Sequence, residues 1–222
     1  MRGLVAGFAA DTSWRDLPVA LIDVETTGRD ASSNRIVELG IAIGKGGEVI
    51  ARHNWLIHPG CPIPEEVRAI HGISDDDVKD SPRFEAIAHE VAEALRGAIP
   101  AAYNAPFDRA FVTNEFARAV SLGLTPITGV PAIERDVDWI DPLVWAREIQ
   151  KEERSRTLVD VAARLGVKLE NAHRASDDAE AALLVLYALG NDVRMPSGYG
   201  ALMSEQKRIA QRQADERRRW RS

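Results

Sequence analysis

One stretch, Val19-Ala-Leu-Ile-Asp-Val24, constrains the fold of this 222-residue chain more than any other. It is a short apolar run that ends in acids, Asp23 and Glu25, and then turns through Thr26-Thr27-Gly28. Such a run reads as a buried central strand whose C-terminal end lies at a functional edge. Side chains alternate along a strand, so Asp23 and Glu25 project from the same face. Apolar patterns over 36–43 and 49–57, with Gly44, Gly46 and Gly47 between them, predict two more strands joined as a hairpin. The chain therefore opens with an antiparallel meander of three strands.

Beyond residue 60 the pattern changes. Helices are expected over 64–70 (closed by Gly72), 82–95, 106–120, 158–165 and 177–189, with strands over 99–103 and 137–140. Alternation of this kind makes an α/β chain. The 45% hydrophobic content supplies one full-sized core. The expected organisation is an N-terminal extension (1–17), one domain (18–193) and a basic C-terminal tail (194–222), with Pro196, Gly198 and Gly200 marking the boundary. The start, Met1-Arg2 followed by residues 3–10, faintly resembles a signal peptide, but its apolar run is short and Asp11 follows directly, so it reads as an extension. No apolar run approaches the ~20 residues that span a bilayer. A single cysteine, Cys61, excludes an intrachain disulfide and fits a reducing, cytoplasmic compartment.

The net charge of −6 argues against a protein that grips long duplex nucleic acid through clustered Lys and Arg. It suits a site that holds a few terminal nucleotides and recruits divalent cations for the missing positive charge. Residues 205–222 run the other way, with seven basic side chains against three acidic ones. Their apolar positions, Leu202 just before them and Ile209 and Trp220 within, are sparse, so the tail is expected to be a solvated basic extension that is helical in part, the alternative being a helix over 201–220 that contacts a partner or a nucleic-acid backbone.

Three acidic sites carry the chemistry, and each alone has a plain structural explanation. Asp23 and Glu25 could be a solvated strand end. Asn104-Ala-Pro106-Phe107-Asp108 could be a helix start, with proline in the first turn and an acid facing the positive end of the dipole. Ser176-Asp177-Asp178 could be a cap. Together, however, all three fall where a predicted strand ends or a helix begins, the places where open α/β sheets build active sites. Four converging carboxylates repel unless cations share them, and hard oxygen ligands select Mg²⁺ or Mn²⁺. Two such ions suit phosphodiester hydrolysis, and a histidine nearby can accept a proton from water at neutral pH.

Asp23-Val-Glu25-Thr26-Thr27-Gly28, Asn104-Ala-Pro-Phe107-Asp108 and His173 with Asp178 five residues on resemble the DEDD exonuclease superfamily. The similarity runs from about 18 to 189, and His71-Gly72-Ile73 fits it as well. It points to the histidine branch, typified by the proofreading epsilon subunit of bacterial DNA polymerase III, since the tyrosine branch would need tyrosine where Arg174 stands. The resemblance implies a ribonuclease H-like α/β fold with a mixed five-stranded sheet, the meander plus two parallel strands, flanked by helices. It implies that Asp23, Glu25, Asp108 and Asp178 hold two divalent cations, Mg²⁺ or Mn²⁺, and that His173 is the general base. Thr26, Asn104, Phe107 and His71 become candidate substrate contacts, although Phe107 also suits core packing and His71 a helix C-terminus. The implied partner is the 3′ end of nucleic acid, DNA favoured over RNA, with a DNA polymerase or other replication or repair protein as a further partner. An exoribonuclease, or a non-catalytic binding or scaffolding protein on the same fold, are the competing functions. His53, His58 and His89 lack metal-ligand spacing, and the 125–136 segment is longer than a simple connection requires.

Overall fold

The computed structural model describes residues 3–169 and 174–219. Strands β1 (Val19–Thr26), β2 (Ile36–Lys45) and β3 (Glu48–Leu56) form the expected meander, and β4 (Ile99–Ala101) adds parallel to β1, giving the order β3-β2-β1-β4. The β2–β3 turn is Gly46-Gly47, with φ of +67° and +90°, the left-handed pair that a two-residue hairpin requires. Among the described residues eight helices flank the sheet: α1 (Glu65–His71), α2 (Asp75–Val78), α3 (Phe84–Leu95), α4 (Ala105–Ser121), α5 (Pro142–Ile149), α6 (Leu158–Leu165), α7 (Ala175–Leu189) and α8 (Tyr199–Arg219). No helix among the described residues is long and apolar enough to cross a membrane.

The sheet has four strands among the described residues, not the five expected. Residues 137–140 run beside β4 but make only isolated bridges, Ala101 with Ile140 and Gly3 with Val137. The reason lies in Pro100. Ile140 N–H donates to Pro100 O, and Ala102 N–H donates to Ile140 O. Extending that parallel ladder toward residue 138 would need a donor from residue 100, and proline has none. Asp138 N–H turns instead to Gly3 O.

Alternation along β1 divides the core into two layers. Val19 and Leu21 face one layer with α5, α7 and α8, whereas Ala20, Ile22 and Val24 face the other with α3 and α4. Asp23 and Glu25 continue the first set, so they point to the side that α7 covers.

The C-terminal segment corrects the sequence expectation of a solvated tail. Helix α8 buries Tyr199, Leu202, Met203, Gln206, Ile209 and Gln213, a continuous stripe at helical spacing. Two of its members are glutamines, which a hydrophobicity pattern passes over. Gln206 Oε1 accepts from Asp141 N–H and Trp145 Nε1, and its Nε2 donates to Trp139 O. Gln213 Nε2 donates to Val144 O. Residues 3–17 also lie against the core, with Val5 and Trp14 buried, and Trp14 stacks on Tyr187 with ring centroids 5.8 Å apart.

Candidate active site

The site begins with a close approach that one glycine permits. Gly40 on β2 lies opposite Asp23 on β1. A Cβ built on Gly40 would sit 2.1 Å from the carbonyl carbon of Ala175 at the start of α7. The helix therefore lands directly on the sheet beside Asp23, and Asp178, in its first turn, reaches the acids of β1. Carboxylate oxygens of Asp23, Glu25 and Asp178 lie within 4.8 Å of one another.

Asp108 arrives from the opposite side. Pairing of β1 with β4 ends at Leu21–Ala101, so Val24 N–H lies past that ladder and donates to Asp108 Oδ1 at 3.2 Å. Asp108 sits in the first turn of α4 and is buried. A buried acid, Glu115, further down α4 receives a bidentate contact from Arg35 at 2.7 and 2.8 Å, and Arg118 reaches both Glu115 and the carbonyls of Ala31, Ser32 and Asn34. This network fastens the loop after β1 to α4, fixing the relation between two of the acidic sites.

The charges of Asp108, Asp178 and Glu25 all act on Asp23, although Asp108 lies outside the group of three whose oxygens approach within 4.8 Å. Burial raises Asp23 well above the usual carboxylate range, and repulsion from Asp108, Asp178, Glu25 and Glu38 adds to it. Glu25 is pushed up to about 8 by burial and then by Asp178 and Glu38, with Arg174 opposing. Asp108 is raised mainly by burial, against its hydrogen bonds from its own backbone and from Val24. Buried like charges at this spacing are unfavourable when all are ionised. An all-oxygen donor set of this kind fits a hard divalent cation, which would relieve the repulsion.

The predicted substrate contacts gather in one cleft of about 400 Å³, lined by Glu25, Thr26, Ile70, His71, Asn104 and Phe107 among others. Thr26 Oγ1 donates to Gly28 O at 2.6 Å, so its hydroxyl also shapes the turn. Phe107 serves two surfaces, packing against Phe111 at 5.0 Å between centroids while lining the cleft. His71 is buried at the end of α1, where Gly72 closes the helix at φ +74°, and its Nδ1 accepts from Ile73 N–H. The neutral ring therefore carries its proton on Nε2. His173, the expected general base, lies outside the described residues.

Three residues escaped the sequence analysis. Glu38 is fully buried on β2 opposite Glu25. It accepts from Arg174 at 2.7 Å, Asn54 at 2.9 Å and the amide of Ala175 at 3.2 Å, so it ties the start of α7 to the sheet. The signal was an acid inside an otherwise apolar strand. Arg174, noticed only for not being tyrosine, is its partner. Asp141 caps α5, a helix that the sequence analysis passed over despite its Asp-Pro start, and accepts from the amides of Leu143, Asn104 and Ala105. That grip holds Asn104 at φ +76°, the one positive φ outside glycine among the described residues, and so sets the entry into α4. Asparagine tolerates this left-handed conformation better than most residues.

Other titratable groups stand apart. Asp177 pairs with Arg52, His53 stacks on Trp55 and His58 Nδ1 accepts from Gly60 N–H.

Residues 20–186 match the model of the RNase T exonuclease family. The chain belongs to this family. The PolC-type DNA polymerase III of Streptococcus suis is 31% identical to this chain over 183 residues, which are 82% of the chain and 12% of that protein. Its counterpart in Streptococcus pneumoniae is 32% identical over 178 residues, 80% of the chain and 11% of the relative. The chain thus spans about an eighth of the length of these relatives. Among solved structures, exonuclease X in complex with 5′ overhanging duplex DNA superposes with a TM-score of 0.60 at 22% identity, covering 81% of this chain and 95% of that one. A zinc-bound complex of E. coli exonuclease I with single-stranded DNA gives 0.65 at 18% identity, covering 79% and 41%. The fold is therefore that of DEDD-type 3′-to-5′ exonucleases, a mixed sheet flanked by helices.

Proposed function

We propose that this protein removes nucleotides from the 3′ end of DNA, single-stranded or frayed, and releases nucleoside 5′-monophosphates. The observation that carries the reading is the approach of Asp23, Glu25 and Asp178 within 4.8 Å of one another beside a cleft that also takes in Thr26, His71, Asn104 and Phe107. Similarity to a region of DNA polymerase III supports DNA as the substrate and a polymerase as a partner.

In this mechanism Asp23, Glu25, Asp108 and Asp178 would hold two divalent cations, Mg²⁺ or Mn²⁺, which would supply Lewis acidity toward the attacking water and the leaving oxygen. The protein's own groups do the rest. Phe107 forms an apolar wall for the terminal nucleotide, and Thr26 and the neighbouring backbone position its sugar and phosphate. Asn104 fixes the start of α4 and with it Asp108. His173, five residues before Asp178, takes the proton from the attacking water, a role for which an imidazole is chemically suited. Glu38 and Arg174 act as positioning residues by anchoring the N-terminus of α7.

Time-resolved cleavage of 5′-labelled single-stranded DNA, mismatched-end duplex and single-stranded RNA tests this, with Mg²⁺, Mn²⁺ or EDTA and with Asp23→Ala alongside. Laddering from the 3′ end that needs both metal and Asp23 is the expected result. Faster loss of RNA would reassign the substrate, and no cleavage by folded, metal-loaded protein would favour a binding or scaffolding role.

A further inference from the structure

A second concave surface adjoins the cleft. It has a volume of about 540 Å³ and lies between α4, the 138–147 segment and α8. Asn104 lines both spaces, so the two meet at the start of α4. On α8 the groove is lined at 206, 210, 213 and 217, one face of the helix, and α4 contributes Arg109 and Thr113.

The chemistry of the lining is distinctive. Four cations, Arg109, Arg147, Lys207 and Arg217, face two acids, Asp138 and Asp141. Lys207 is paired with Asp138, and Asp141 is covered by three backbone amides. Arg109 donates to the carbonyl of Arg135. Arg147 and Arg217 make no ion pair among the described residues. Burial lowers the Arg147 pKa, and the nearby Arg217 lowers it further, so the two guanidiniums repel each other across the groove.

A partner for Arg147 and Arg217 must be anionic. The phosphates of a nucleic-acid strand meet that demand. We propose that this groove carries the substrate strand upstream of its 3′ terminus, with Arg147 and Arg217 on its phosphates. The inference rests on the exonuclease reading above and extends it from the terminal nucleotide to the strand behind it. It also explains why an acidic protein places arginines on the helix beside its catalytic cleft.

Binding of oligothymidylates three and twelve nucleotides long, measured in EDTA across a salt series, tests the groove without requiring turnover. The longer strand should bind the wild type more tightly. Arg147→Gln and Arg217→Gln should each remove about tenfold of that advantage and reduce the salt slope by about 0.7. Arg208→Gln, on α8 but paired with Glu205 and outside the groove, should leave both unchanged. Unchanged binding in both groove variants, or an equal loss from Arg208→Gln, overturns the proposal. Arg217 is exposed on the last turns of α8, so its substitution keeps the test valid if Arg147→Gln compromises folding. Hydrolysis of a mononucleotide p-nitrophenyl diester by the wild type reports on the cleft alone. Hydrolysis without any length dependence in binding would sink the groove and spare the exonuclease. Length-dependent binding lost in the arginine variants, without hydrolysis, would do the reverse.

Discussion

The β1 edge and the inner face of α8 both bury polar side chains, and they treat them in opposite ways. On α8, Gln206 meets an amide, an indole and a carbonyl, so each of its atoms has a matched protein partner. At the β1 edge, Asp23, Glu25, Asp108 and Asp178 are gathered against one another, and their mutual repulsion adds to the cost of burial. A buried polar group satisfied by protein stabilises the fold, whereas a group of like charges held together without counter-charges is destabilising until a cation arrives. The first arrangement is architecture, and the second is a site prepared for something the chain does not itself supply.

This contrast can be broken most directly at Asp23. Asp23→Asn and His173→Ala should each lower 3′-terminal cleavage by at least about 10³-fold in single-turnover assays. In metal-free buffer Asp23→Asn should unfold at a higher temperature than the wild type, because one repelling charge is gone. A lower unfolding temperature would mean that the acids are not destabilising. Gly40→Ala should come next. Its methyl group meets the Ala175 backbone, and displacement of α7 should cost about 1–3 kcal/mol while reducing cleavage more than that stability loss explains. Activity and denaturant curves measured on the same preparation decide it.

On the α8 side, Gln206→Ala leaves Asp141 N–H, Trp145 Nε1 and Trp139 O without their partner and should cost about 2–3 kcal/mol in urea unfolding. Gln206→Ala with full stability would show that water replaces the side chain there. A further prediction concerns pH. Glu25 in the folded protein is held near about 8, above its unfolded value, so the folded state binds the proton more tightly. Its contribution to stability is therefore present at low pH and is lost as pH rises from about 4.5 toward 8. Metal-free unfolding midpoints should fall over that window, and Mg²⁺ or Mn²⁺ should raise them more at the alkaline end.

How much of this was legible in sequence differs from element to element. The β1 strand, its two acids and the meander followed from periodicity and turn residues, because those signals are local. The four carboxylates could be grouped from their positions at strand ends and helix starts together with the family resemblance. Glu38 could not, because its role depends on facing Glu25 across a register and receiving the start of α7, neither of which a linear pattern carries. Asp141 was hidden for the same reason, since its partners Asn104 and Ala105 lie 37 and 36 residues away in the chain. The fifth strand failed because one proline removed the donor that its ladder needed, an effect that appears only once 137–140 is set beside β4.

The sequence by itself determined the α/β class, the antiparallel opening and the identities of the acids, because these depend on side-chain type and short-range periodicity. Tertiary structure alone decided that α7 could descend onto Gly40 and close the acidic group. It also decided that glutamines could seat α8 in the core and that the helix would form the wall of a second groove. Those outcomes rest on distances between residues far apart in sequence, where the energy of a close approach or a matched hydrogen bond depends on geometry rather than on composition.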